Sequence, residues 1–236
     1  MKVSVCIATY NGGEYLAEQL NSIFPQLGTE DEIIISDDHS SDNTIEIVKE
    51  FNDPRITVYS NNLGKGYTRN FENALNHCSG DIIFLCDQDD VWEPNKVERM
   101  SCLLSNNDLV VSDCKVVNGK LETIHNSHFS IHQTSSGFLR NFVKPRYIGA
   151  CMAFNRRVLD CSLPFPQKQK YCAHDYWISL VAEMKFNVAT LDEPLMLYRR
   201  HSHNASSGGE VSKFSLAHKV LTRVYTGSCL LLRWMR

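Results

Sequence analysis

The chain has 236 residues, of which 43% are hydrophobic, and a formal net charge of −3. That suffices for one large α/β domain, or a domain with an appendage, and it lacks the basic footprint of a nucleic-acid binder. The nine cysteines are odd in number, include no Cys-x-x-Cys pair and lie partly in apolar runs, which favours a reducing compartment over a disulfide framework.

Met1-Lys2 leads straight into an apolar run at 3–9, read as a buried strand, so no leader is expected and the expected location is the cytoplasm. Tyr10-Asn11-Gly12-Gly13 makes a turn, and Leu16, Leu20, Ile23 and Phe24 then recur at helical spacing until Pro25. Residues 32–36 form a second strand that closes on Asp37 and Asp38. A helix bearing Ile45, Val48 and Phe51 begins at Ser41-Asp42-Asn43-Thr44. A short strand at 56–59 and a helix at 68–76 lead to the apolar strand 82–86, which ends in Asp87-Gln88-Asp89-Asp90. Glu93-Pro94 opens another helix, and 110–113 reads as a further strand. No apolar run approaches a membrane span.

Strands alternating with helices predict a largely parallel sheet whose ligands gather at the strand C-terminal ends. Three such ends are polar: Thr9-Tyr10-Asn11, Asp37-Asp38 and the Asp87–Asp90 cluster. A strand delivering three carboxylates to a sheet edge suits a hard cation such as Mg²⁺ or Mn²⁺ carrying a diphosphate. Spacing alone leaves a solvated acidic turn equally open. The first turn has no third glycine for a Rossmann dinucleotide site, and Leu63-Gly64-Lys65-Gly66 is no P-loop. Phosphate charge must then be met by a metal and by basic side chains.

Val3-Ser4-Val5-Cys6-Ile7-Ala8-Thr9-Tyr10-Asn11, Ser36-Asp37-Asp38-His39-Ser40-Ser41-Asp42 and Asn62-x-Gly64…Arg69-Asn70 together resemble the family 2 glycosyltransferases. The Asp-Gln-Asp-Asp-Val-Trp string is similar to a bacterial subgroup of rhamnosyltransferases. The resemblance covers residues 1 to about 100 and resumes more thinly at 148–204. It implies the GT-A fold: an α/β, Rossmann-like domain at 1–210, with a nucleotide-binding half at 1–100 and an acceptor half at 101–210. It also implies an inverting, metal-dependent transfer of a sugar from dTDP-L-rhamnose or a UDP-hexose. The acceptor would be a saccharide, lipid-linked, in bacterial surface polysaccharide assembly.

By the same resemblance Asp38 reads the base edge, Thr9, Tyr10 and Asn11 line the base pocket, and Arg69 lies near the base or diphosphate. Asp87 faces the ribose or sugar, and Asp89 is the direct ligand of Mn²⁺ or Mg²⁺. Cys172-Ala173-His174-Asp175-Tyr176-Trp177 resembles the family's downstream acidic motif, with Asp175 as general base and His174 as an alternative base. Read for structure alone, Asp38 would favour a helix N-terminus and Asp175 would cap its helix. Tyr198-Arg199-Arg200-His201 resembles the segment over the diphosphate. His201 matches a metal ligand there, Arg199 and Arg200 are phosphate partners or surface charges, and Ser206-Ser207-Gly208-Gly209 would be a lid. His125, His128 and His132 lack a cysteine partner at zinc spacing and fall to an acceptor-side loop.

The tail at 211–236 carries Lys213, Lys219, Arg223, Arg233 and Arg236 and no acid, interleaved with apolar residues. It reads as a basic amphipathic helix that contacts an anionic membrane at the cytoplasmic face, packs its apolar face on the domain, or does both with its charge outward. Two other classes stay open. A sugar-phosphate nucleotidyltransferase needs a Gly-rich basic loop after the first strand, where Gly12-Gly13-Glu14-Tyr15 stands; a non-catalytic sugar-nucleotide-binding module needs neither Asp89 nor Asp175.

Overall fold

In the computed structural model, residues 1–201 and 215–235 are described. The first half consists of strands β1 (Val3–Thr9), β2 (Glu32–Asp37), β3 (Ile56–Ser60) and β4 (Ile82–Asp87). Helices α1 (Leu16–Ile23), α2 (Thr44–Phe51) and α3 (Tyr67–His77) connect them. β1, β2 and β4 are almost wholly buried, which is why they read as continuous apolar runs rather than as alternating ones. α1 buries Leu16, Leu20 and Ile23 along one face and gives way at Phe24-Pro25 to a 3₁₀ turn. α2 stops at Asn52, whose φ of 45° closes the helix in the left-handed region.

These four strands are parallel in the order β3-β2-β1-β4. The chain steps outward from β1 in one direction through β2 and β3, then returns to the other side of β1 with β4. The crevice beyond the C-terminal ends of β1 and β4 is therefore a topological switch point, where open α/β sheets bind ligands.

The second half is built from β5 (Val91–Trp92), α4 (Lys96–Leu104), β6 (Leu109–Asn118) and β7 (Thr123–His125). Short helices α5 (His128–His132) and α6 (Phe138–Val143) follow, then a 3₁₀ turn at Gly149–Cys151. The chain continues through β8 (Met152–Asn155), α7 (Arg156–Ser162), α8 (His174–Lys185), β9 (Val188–Arg200) and α9 (Leu216–Trp234). β8 pairs antiparallel with β4 and with β6, while β9 runs parallel to β6. The Gly149–Cys151 turn thus enters beside the end of β4, and the ends of β6 and β9 open on the same edge.

Some expectations need correction. The helix read as starting at Glu93-Pro94 begins at Lys96, because Val91 and Trp92 are drawn into a short antiparallel ladder with Leu197 and Met196. The histidines read as one loop lie partly on β7 and partly on α5. In α9 the charge faces outward only in part: Lys219 is exposed, but Arg233 donates to the carbonyls of Cys161 (3.0 Å), Leu163 and Pro164, and Arg223 to that of Val143. Ser202, His203, Asn204, the Ser206-Ser207-Gly208-Gly209 segment, Lys213 and Arg236 lie outside the described residues.

Candidate functional site

At the C-terminal edge of β1–β3 three loops are laced together by short polar side chains. Asn11 has φ 48° and its side-chain carbonyl accepts from Ser41 N–H at 2.8 Å, while Asn11 N–H donates to Ser40 Oγ. Thr9 is fully buried; its hydroxyl donates to Asp37 at 2.9 Å, and its carbonyl accepts from Asn70 and from Asp38 N–H. Asp38 accepts from Asn61 Nδ2 on one oxygen and from Gly66 N–H on the other, both at 2.8 Å, which draws the loop after β3 over the crevice. Arg69 pairs with Glu72 and donates to the carbonyls of Pro166 and Gln167. Tyr10 stands free of this lacing at its side chain, which is exposed, while its backbone N–H and C=O exchange two hydrogen bonds with the Gln88 amide. That reciprocal pair ties the β1 turn to the acidic cluster.

The acidic cluster sits at the end of β4. Burial pushes the Asp87 carboxyl up to about 7, helped by the charges of Asp89 and Asp175 and opposed by Lys96. Burial, then the charges of Asp89 and Asp87, raises Asp90 well above the ordinary range; one oxygen accepts from Arg199 N–H at 2.9 Å. Asp89 meets His201 Nε2 at 2.7 Å, a contact set by the β5–β9 ladder, which pairs Val91 with Leu197. Among the described residues no cluster of three His, Cys, Asp or Glu side chains converges on one point. Two protein ligands are nevertheless what a diphosphate-bound Mg²⁺ or Mn²⁺ asks for, with phosphate and water filling the rest. Asp89 with His201 fits that donor set, and a cation arriving there would relieve the carboxylate crowding that raises Asp87.

Two buried cations hold this cluster from behind. Arg199, 2% exposed, donates from Nε to the Asp89 carbonyl and from Nη1 to that of Gly119, each at 2.7 Å, and pairs with Glu18. Its guanidinium also lies 4.4 Å from the Tyr15 ring centre, and that ring is 5.0 Å from His201. Lys96 is fully buried and donates to the Ala150 carbonyl at 2.7 Å, 4.7 Å from the Trp92 ring centre. Lys96, Glu18 and Gln88 went unread in the sequence, where they look like ordinary polar positions on a helix or turn.

Asp175 opens α8 and accepts from Tyr176 N–H at 2.7 Å. Beside it His174 is buried, stacked on Phe71 at 4.1 Å and edge-on to Tyr67 at 5.7 Å. Both its ring nitrogens lack a hydrogen-bond partner, and burial lowers its pKa, so the imidazole is neutral. Gly149 closes the gap: a Cβ there would lie 2.9 Å from His174 Nε2 and 3.3 Å from Asp175 Cβ. The structure thus brings Asp87, Asp89 and His201 to one rim of the crevice, Tyr10 and Asp38 to another, and Asp175 close enough to act electrostatically on Asp87.

The family model described as "Glycosyl transferase family 2" matches residues 4–163. The UDP-Glc:alpha-D-GlcNAc-diphosphoundecaprenol beta-1,3-glucosyltransferase WfgD of Escherichia coli is 27% identical over 87% of this chain and 79% of its own length. The dTDP-rhamnosyl transferase RfbG of Shigella flexneri is 29% identical, over 84% of this chain and 72% of its own. Among solved structures, S. aureus TarS 1-349 in complex with UDP-GlcNAc superposes with a TM-score of 0.71 at 21% identity, covering 94% of this chain and 70% of that one. The GT-A architecture expected from the sequence is therefore the observed one.

Proposed function

Because the chain belongs to glycosyl transferase family 2, we propose that it is a metal-dependent inverting enzyme. It moves a sugar from dTDP-L-rhamnose or a UDP-hexose to a lipid-linked saccharide in bacterial surface polysaccharide synthesis, at the inner face of the cytoplasmic membrane. The donor and acceptor classes are supported by the names of the rhamnosyl- and glucosyltransferase relatives. The observation that carries the reading is the strand-end crevice, with Asp89 and His201 in contact at the end of β4 and Asp175 at the start of α8 beside the Gly149 turn.

Tyr10, Asn11, Asp38 and Thr9 shape the base pocket, with Arg69 bracing its outer wall and Asp87 facing the ribose or sugar. Asp89 and His201 would hold Mn²⁺ or Mg²⁺, which would supply positive charge where the diphosphate gains negative charge. The acceptor hydroxyl attacks the anomeric carbon, the bond from that carbon to the diphosphate breaks on the opposite side, and the hydroxyl proton passes to the Asp175 carboxylate. The nucleoside diphosphate departs with the bonding electrons.

The test pairs each donor with a diphosphoprenol-linked saccharide, with Mn²⁺ or with EDTA, in the native chain and in Asp175→Asn. The expected result is turnover only with metal, and a loss of roughly 10²–10⁴-fold in kcat for the variant with donor affinity kept. Unchanged turnover in Asp175→Asn removes the base assignment. Pyrophosphate release from a nucleoside triphosphate and a sugar phosphate would instead make the chain a nucleotidyltransferase, and donor binding without any turnover a binding module.

A further inference from the structure

Helix α9 is held to the domain by one face only. Leu230 and Thr226 are buried beneath it, Tyr225 accepts from Lys168 N–H, and Arg223 and Arg233 turn back to protein carbonyls. On the other face Leu216, Val220, Val224, Leu231 and Met235 are each between 54% and 78% exposed. Their spacings of four, four, seven and four residues put all five on one stripe of a helix. Trp234 flanks the stripe, 59% exposed. Leu139 and Val143 of α6 add to it, one helical turn apart and at least 69% exposed; the Val143 carbonyl is the acceptor of Arg223. A contiguous apolar surface of this kind is uncommon on a protein that works alone in water.

The charges around it are mostly of one sign. α9 itself and residues 138–147 and 161–172 contain no Asp or Glu, whereas α8, whose Tyr176 and Trp177 rings lie against Arg223 and Arg233, carries Asp175 and Glu183, and Asp160 is exposed just before the second segment. Those three stretches contain eight cations, of which Arg140, Lys144, Lys168, Lys170 and Lys219 are exposed, while Arg146, Arg223 and Arg233 are engaged by protein carbonyls. This is in a chain whose net charge is −3, so the positive charge is concentrated here. We propose that the α6–α9 face docks on an anionic lipid surface, with α9 lying in the interface plane, its apolar stripe among the acyl chains and the cations at the headgroups. Among the described residues no helix is long and apolar enough to cross a membrane, so the contact is made from one side.

A second copy of the chain is the rival occupant. A two-fold pairing of this face would set its exposed cations against those of the other copy, which costs association energy. An anionic surface meets the apolar stripe and its cationic border together. The inference deepens the lipid-linked acceptor reading, and because it uses no donor chemistry the two are tested apart.

The full chain is floated with phosphatidylcholine vesicles with and without phosphatidylglycerol, at low and high salt. The expected result is binding only with phosphatidylglycerol, weakened by salt, with a blue shift of Trp234 emission. Val224→Glu and Leu231→Glu are each expected to weaken partitioning roughly tenfold or more. Lys144→Glu and Lys170→Glu should each weaken it about fivefold or more. All four variants should keep the native circular dichroism spectrum, since the altered side chains touch solvent. Equal binding to neutral vesicles, or no binding with a monomer in light scattering, overturns the proposal. So does a dimer that Leu231→Glu dissolves in a chain that ignores vesicles. Donor turnover is read separately: vesicle binding without turnover refutes the proposed reaction alone, and turnover without vesicle binding refutes this surface alone.

Discussion

Gly149→Ala tests whether packing positions Asp175, the base proposed above. Gly149 does not have a positive φ, so alanine strains nothing in its backbone. Its new Cβ would lie 2.9 Å from His174 Nε2, about 0.5 Å inside ordinary van der Waals contact, and 3.3 Å from Asp175 Cβ. The imidazole cannot retreat, because Phe71 stacks on it at 4.1 Å and the site is closed to water. The first turn of α8 must therefore shift, carrying Asp175 with it. Misplacement of about 1 Å can cost on the order of 10²-fold, so half that distance should cost about tenfold in kcat. The overpacking itself should cost about 1–3 kcal/mol of stability. Initial rates over a range of donor concentrations should show kcat lowered and donor KM nearly unchanged, since Tyr10, Asp38 and Asp89 stand on other elements. His174→Ala in the same chain removes the obstacle, so the double variant should recover part of the loss. A Gly149→Ala enzyme with native kcat, or a double variant whose losses simply add, would refute packing as what places the base.

Glu32 links the start of β1 to the end of α3. Burial alone would raise its pKa, but hydrogen bonds from Lys2, Ser4 and Ser79 outweigh burial and bring it from an ordinary 4.5 down to about 2. A depressed carboxylate contributes stability that is present above 4.5 and lost as pH falls through 2. Glu32→Gln should therefore cost about 2 kcal/mol at neutral pH and flatten the acid limb of a urea-midpoint profile between those values; an unchanged limb would count against it. Arg199→Met leaves the Asp89 and Gly119 carbonyls without their donor and should cost about 2–3 kcal/mol, the half-exposed Glu18 adding little. The same variant should weaken Mn²⁺ binding in calorimetric titration by loosening the Asp89–His201 pair, and Arg199→Lys should restore only part, since an ammonium lacks the fork that spans both carbonyls. Native Mn²⁺ affinity in Arg199→Met would show that the acidic turn holds its own shape.

What could be read in advance follows from range in sequence. β1, β2 and β4 are apolar because both faces are covered, and their ends are polar because ligands meet them there, so strands and rim were legible together. Val91 and Trp92 were not, since their ladder partners Leu197 and Met196 lie more than a hundred residues on. For the same reason the helix start was misjudged: Pro94 is a good first-turn residue, but after the ladder ends at Trp92 it sits in a turn that Lys96 N–H closes on the Glu93 carbonyl. Asp38 was legible as an acid at a strand end, whereas its ties to Asn61 and Gly66 depend on a loop that only the fold brings near. Arg199 was the hardest case. Beside Arg200 in a polar stretch it reads as a solvated or phosphate-facing charge, and only the register of β9 against β5 and β6 turns it into the core.

The two buried cations also explain how an acidic rim can stay ready for a mobile metal. Had Lys96 bonded a carboxylate directly, an arriving cation would first have to displace it, and a buried pair is slow and costly to break. Instead the Lys96 ammonium is committed to the Ala150 carbonyl and rests against Trp92, while Arg199 reaches the carbonyls of Asp89 and Gly119. Both cations fix backbone, Lys96 at the turn that carries Gly149 and Arg199 at the turn that carries Asp89. Their charge softens the repulsion without cancelling it: Lys96 lowers Asp87, yet burial, Asp89 and Asp175 still hold that carboxyl near 7. A rim with its backbone fixed and its carboxyls crowded is one that a divalent cation bound to a diphosphate would relieve. The chain thus places Lys96 and Arg199 one layer behind the site, burial lowering the pKa of Lys96, and leaves the front layer to the ligand.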